Sequence, residues 1–132
     1  MTKLLITRAR LFAAVDETVI DDGSVLINGD QIAWVGPTGQ LPPNASDGAE
    51  VLDVDGKFVM PGMTESHVHL SYSNAHPSQL DRQPIPTAML DAVDNARTLL
   101  GFGFTSAISF GSAQGIDVPL RRAIDSGRVL GP

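Results

Sequence analysis

Apolar residues follow two rhythms along this chain of 132 residues, and the change falls near residue 61. Up to residue 60 they form short runs at Leu4-Leu5-Ile6, 24–27, 31–35, 50–54 and 57–60. Short apolar runs bounded by Gly, Pro, Asn and Asp predict strands. Asn28-Gly29-Asp30 predicts a hairpin of type I′, the tight turn that needs positive φ at both central positions. Asp21-Asp22-Gly23 marks the turn before it and Asp55-Gly56 a later one, while residues 41–48 read as a loop. Residues 1–60 are therefore expected to form a meander, the N-terminal part of a small β-sandwich domain.

After Pro61-Gly62, residues 63–70 make a strand-length stretch, followed by a polar loop through residues 71–77. Then Ile85, Ala88, Met89, Ala92, Val93, Ala96, Leu99 and Leu100 recur at spacings of three and four, one face of a helix. Pro86 suits its first turn and Gly101 the position just past its end. Residues 103–110 are small and apolar without alternation, which predicts a strand buried on both faces, as in a parallel sheet. Asp117 is placed to cap a second helix, with Leu120, Ala123 and Ile124 inward and Gly127 as its stop. The fold class is α/β, and residues 61–132 read as the first two βα units of a (β/α)8 TIM-type barrel. Such a barrel takes roughly 200 residues or more. The chain is thus expected to be an N-terminal fragment, completed by the remainder of the barrel on the same or another chain.

Composition narrows the function classes. Hydrophobic residues make up 42% of the chain, enough for a buried core. Nine Lys and Arg against fifteen Asp and Glu leave a net charge of −6, with no basic cluster to neutralise phosphates, so no nucleic-acid partner is expected. The absence of cysteine excludes disulfides, thiolate nucleophiles and Cys-based zinc sites. The N-terminus turns polar too early for a signal peptide, and no apolar run approaches the ~18 residues of a membrane span. A cytoplasmic protein without a membrane partner is the expectation, with a homo-oligomer left open.

The chemistry concentrates in Glu65-Ser66-His67-Val68-His69. Residues two apart on a strand share a face, so Glu65, His67 and His69 project together and both imidazoles can reach one divalent cation. The polar loop that follows puts them at the strand's carboxyl end, where α/β barrels carry their sites. Pattern alone leaves an ordinary histidine pair as good a reading as a metal site. Trp34, Met60 and Met63 read as packing residues.

Residues 54–70, which include Met60-Pro61-Gly62-Met63-Thr64-Glu65 and His67-Val68-His69, resemble the signature of the amidohydrolase superfamily. Residues 25–36 resemble that family's N-terminal hairpin, Asn95-Ala96-Arg97 and Gly103-Phe104-Thr105-Ser106 its helix and second strand. Residues 120–132 point to the imidazolonepropionase-like and prolidase-like branch. The resemblance implies a distorted (β/α)8 barrel with a β-sandwich built from both chain ends. It also implies a divalent metal, zinc by expectation and one or two ions, with His67 and His69 as the first two ligands. The remaining ligands, a carboxylated Lys or Glu, two His and an Asp that is also the usual proton shuttle, would lie beyond Pro132. The activity implied is hydrolysis of C–N or related carbonyl or carbamate bonds in a small-molecule substrate, by a water that the metal acidifies. The alternative is an inert fragment or binding module that needs the missing barrel half or a partner chain.

Three features depart from the family pattern or stand beside it. Glu65 stands where the family usually has Asp; it either orients a ligand or is a carboxylate paired inside the barrel. Ile108-Ser109 replace a frequent Arg-Asp, which puts substrate preference in doubt. His76, in the loop over the site, is a candidate substrate contact or an ordinary loop histidine.

Overall fold

The computed structural model describes residues 2–72, 74, 76–80 and 82–132. Ser73 and Ala75 of the expected polar loop lie outside the described residues. Contacts divide the chain into two compact units, Met1–Pro61 and Gly62–Pro132.

The first unit is a five-stranded sheet. Strands β1 (Lys3–Phe12), β2 (Val19–Asn28) and β3 (Gln31–Pro37) run as an antiparallel meander. Strands β4 (Glu50–Asp53) and β5 (Phe58–Val59) return beside β1, parallel to it, giving the order β3-β2-β1-β4 with β5 beyond β4 along the same edge. Asn28 pairs with Gln31, so the hairpin loop is Gly29-Asp30. Of these two only Gly29 has positive φ (65°), so the turn is of the II′ kind rather than the expected I′. Asp21-Asp22-Gly23 is not a turn; it lies within β2. A Cβ at Gly23 would come 2.5 Å from Leu11 Cβ, so glycine here marks a close approach of two strands.

Opposite faces of this sheet hold separate cores. Leu5, Leu26 and the half-buried Trp34 pack under the loop residues Leu41, Ala45 and Ala49. Ala9, Leu11 and Val25 pack with Ile6, Ile20, Ile27, Val54 and Val59. Residues 5 and 9 reach different cores because β1 carries a bulge between Ile6 and Ala9, where Arg8 adopts φ 55°. The guanidinium of Arg8 pairs there with Asp53 at 2.8 Å and Asp55 at 2.5 Å.

The second unit reads strand, helix, strand, helix. Strand β6 (Met63–Val68) and strand β7 (Phe104–Ser109) pair in parallel, joined through α1 (Pro77–Leu80) and α2 (Ile85–Gly101). Helix α3 (Asp117–Asp125) follows β7. The core is Ala88, Ala92 and Ala96 of α2 against Ile116 and Leu120, with Leu70, Val93 and Ile124 packed on it. Alanine every fourth residue gives α2 a smooth stripe against which bulkier residues fit closely.

Helix ends refine the sequence reading. Helix α2 includes Gly101, and the glycine past its end is Gly103, with φ 90° and its N–H donated to Leu100 O at 2.9 Å. Gly127 ends α3 as expected: its N–H reaches Ile124 O at 2.8 Å while Arg128 N–H reaches Ala123 O at 2.9 Å, the paired bonds of a Schellman end. Asp117 is the first helical residue rather than the cap, and its carboxylate turns back to the preceding loop. Strand β7 is less covered than expected: Ile108 is 53% exposed, because the helices pack on one side and β6 on one edge.

Candidate metal centre

Parallel pairing brings the carboxyl ends of β6 and β7 to one edge. Val68 pairs with Ser109, and Phe110 N–H donates to Val68 O at 3.1 Å. The residues just past each strand are therefore neighbours: His69 on one side, Phe110 and Gly111 on the other. The start of β6 is fixed equally closely. A Cβ at Gly62 would overlap the side chain of Thr105 on β7, so the Pro-Gly corner needs glycine for space, not for an unusual φ.

His67 and His69 lie with ring centres 5.3 Å apart and planes at 71°. Phe110 stacks on His67 with centres 4.1 Å apart and planes at 3°. Tyr72 stacks on His69 at 4.9 Å. The Nδ1 of His69 lies 2.8 Å from the carbonyl oxygen of Gly111. A carbonyl only accepts, so Nδ1 carries a proton and donates it. In the neutral ring, Nε2 then keeps its lone pair.

That arrangement fits a metal. Two imidazoles sharing a tetrahedral ion, with Zn–N of about 2.0–2.1 Å, have ring centres roughly 5 Å apart. A ligating histidine commonly donates its other N–H to a carbonyl or carboxylate, as His69 does. Among the described residues no group of three or more His, Asp or Glu side chains converges, and two imidazoles are fewer than the three or four protein ligands of a zinc site.

The other residues singled out by sequence are engaged locally. Glu65 accepts the backbone N–H of His67 at 3.1 Å, so its carboxylate touches the backbone of the pair and not a ring. His76 Nδ1 bonds Ser78 Oγ at 2.9 Å and accepts Ser78 N–H at 3.3 Å, capping the short α1.

Sequence reasoning assigned no part in the site to Tyr72, Asn95, Phe110, Gly111 or Asp117. Asn95 of α2 donates to the carbonyls of Leu70 at 2.7 Å and Tyr72 at 3.1 Å, tying down the loop that carries Tyr72. Asp117 accepts from Ser109 Oγ at 2.8 Å and also from Ser112 Oγ. Its carboxyl is held below the ordinary carboxylate range, first by the Ser112 hydroxyl and further by Ser109 and the nearby His69, against a contrary effect of partial burial. Strand register was the available signal: once β6 and β7 pair in parallel, residues after 109 must face residues after 68.

The βαβα unit, with paired histidines at the carboxyl end of its first strand, has the form of the opening of a (β/α)8 barrel. Known proteins share both its fold and its sequence. A prolidase crystallised with N-methylphosphonate-L-proline superposes on 99% of the chain with a TM-score of 0.84 and 30% identity, the match taking in 30% of that protein. The N-substituted formamide deformylase of Arthrobacter pascens is 43% identical over 70 residues, 53% of this chain and 13% of that enzyme. The imidazolonepropionase of Roseobacter denitrificans is 30% identical over 81 residues, 59% of this chain and 20% of that enzyme. No protein-family model matches the chain. These relatives are members of the amidohydrolase superfamily, and the chain's similarity to them fits the imidazolonepropionase-like branch. The chain spans less than a third of the length of each of these three relatives. Homologues in this superfamily generally use a divalent metal.

Proposed function

We propose that this chain supplies the first two metal ligands, His67 and His69, of a divalent-metal hydrolase that cleaves C–N bonds in a small-molecule substrate. The observation that carries the reading is the His69 ring. Its Nδ1–H is held by Gly111 O, which leaves Nε2 free for a ligand beside the His67 ring. The relatives are hydrolases acting on C–N bonds, which supports the reaction class. Zinc is the metal favoured by an all-imidazole pair, since imidazole suits zinc better than it suits magnesium or calcium. When bound, such an ion polarises the scissile carbonyl and makes water acidic enough to attack near neutral pH.

The chain's own residues have positioning work in this scheme. Glu65 fixes the backbone amide of His67, Phe110 and Tyr72 restrict the two rings to their stacked orientations, and Asn95 holds the loop carbonyls beside Tyr72. Residues 61–132 thereby act as the first two βα units of the hydrolase barrel, and residues 1–60 as the N-terminal part of its β-sandwich. The further ligands and the proton-shuttling carboxylate belong to the remainder of the barrel.

The test is metal content and hydrolysis in the complete protein. His67→Ala and His69→Ala should each lower bound zinc substantially and abolish turnover of amide and cyclic-amide substrates. Unchanged metal content in both variants would overturn the reading.

A further inference from the structure

The mechanism sketched above does not use the most connected polar cluster of the second unit, which lies in the β7–α3 loop. Its centre is the Asp117 carboxylate on the first turn of α3. One oxygen accepts from Ser109 Oγ at 2.8 Å and the other from Ser112 Oγ. Ser112 Oγ in turn accepts the Asp117 backbone N–H at 3.1 Å. Ser109 Oγ accepts the N–H of Gly111 at 3.2 Å, and the carbonyl of that same Gly111 receives the Nδ1 proton of His69. A continuous path therefore runs from Asp117 through Ser109 and Gly111 to the imidazole.

Two features give the path a direction. Gly111 sits at φ 108°, a backbone conformation that residues with a Cβ avoid, and a Cβ there would meet nothing within 4 Å. Glycine is thus needed for the angle at which its carbonyl points, not for space. Asp117 is anchored by a helix, whereas residues 110–112 have no regular structure of their own. The helix end is the fixed point and the loop carbonyl is what it holds.

We propose that Asp117 is a positioning residue for His69. Through Ser109 it holds the backbone of Gly111 by its N–H, so that the carbonyl on the other side of the same Cα selects the Nδ1–H tautomer and presents Nε2 to the metal. This rests on His69 being a metal ligand, as proposed above. It adds that ligand geometry is set by a carboxylate three hydrogen bonds removed from the ring. Charged at neutral pH, Asp117 strengthens both hydroxyl bonds beyond what a neutral acceptor would give.

The tautomer can be read directly. Long-range proton–nitrogen NMR of the full chain with labelled histidine, without metal, should show His69 as the Nδ1–H form. Asp117→Ala, Ser109→Ala and Gly111→Ala should each shift it toward the Nε2–H form, while Asp117→Asn, which keeps one acceptor oxygen and can bond both hydroxyls, should restore it. In the complete protein, zinc affinity should fall about ten- to hundredfold in the alanine variants, the usual effect of losing a group that orients a ligand. Wild-type tautomer and zinc affinity in Asp117→Ala and Ser109→Ala would overturn the inference. Should Asp117→Ala fail to fold, Ser109→Ala cuts the same path and decides alone. Failure of the wild-type protein to bind zinc would instead sink the metal reading, and the tautomer measurement would still judge the path.

Discussion

Gly62→Ala is a sharp test of how the two strands beneath the histidines are held together. The substituted methyl would overlap the Oγ1 and Cγ2 of Thr105 and come within 2.7 Å of its Cβ. Thr105 cannot simply rotate away, because its Cβ is fixed by the backbone of β7. Overpacking of this kind costs about 1–3 kcal/mol. Against this, Gly62 has an ordinary φ, so alanine restricts the unfolded chain and returns ~0.4–1 kcal/mol. A net loss of about 1–2 kcal/mol follows, which for a unit of this size lowers the melting midpoint by roughly 4–8 °C per kcal/mol. Among the described residues α-helices occur only in the second unit, so urea unfolding followed by far-UV circular dichroism reports on the right part of the molecule. Thr105→Gly should rescue Gly62→Ala, since it removes every atom the methyl would meet, and the double-mutant cycle should show a coupling above ~0.5 kcal/mol. A Gly62→Ala protein as stable as wild type, or no coupling to position 105, would refute the argument that glycine is there for close approach.

Three further outcomes are expected. Gly103→Ala should destabilise by about 1–2 kcal/mol through its left-handed φ alone, whereas Gly101→Ala, in the last turn of α2 with open space around it, should stabilise by ~0.5–1 kcal/mol; urea midpoints moving in opposite directions check the pair. Leu120→Ala, at 2% exposure in the α2–α3 core, should cost about 2–5 kcal/mol in the same assay. The Asp117 carboxyl is lowered in the folded state, so its stabilising contribution is present above its unfolded pKa and fades as pH falls through the lower folded value. The stability gap between wild type and Asp117→Ala should therefore be full at neutral pH and shrink in strong acid; a gap independent of pH would contradict the assignment.

What the sequence made legible depends on the range of the interactions involved. The α2 stripe, the glycine stop of α3 and the strand runs are local periodicities, and they appear where the pattern placed them. The histidine pair was visible because two same-face residues on one strand need no partner to be recognised. Asp21-Asp22-Gly23 misled because its turn chemistry is local while the reason for Gly23, the side chain of Leu11, lies on another strand. Phe110, Gly111 and Asp117 were missed for the same cause: each acts on a histidine more than 40 residues away, through a strand register that no spacing rule encodes. The exposure of Ile108 likewise reflects how many neighbours a strand has, which its own residues do not reveal.

The bulge at Arg8 has a consequence for how the first unit tolerates change in length. Before it, β1 pairs with β4 and odd-numbered Leu5 faces the Trp34 core; after it, β1 pairs with β5 and odd-numbered Ala9 and Leu11 face the other core. One extra residue works as a phase shifter, letting a single strand serve two layers without a break. Without the bulge, the same residues in strict alternation would turn Ala9 and Leu11 toward the wrong side, although no side chain of the core had been altered; deleting Arg8 as well would put them back in phase with Ile6. In this strand the count of residues is as much a determinant of the fold as their identity.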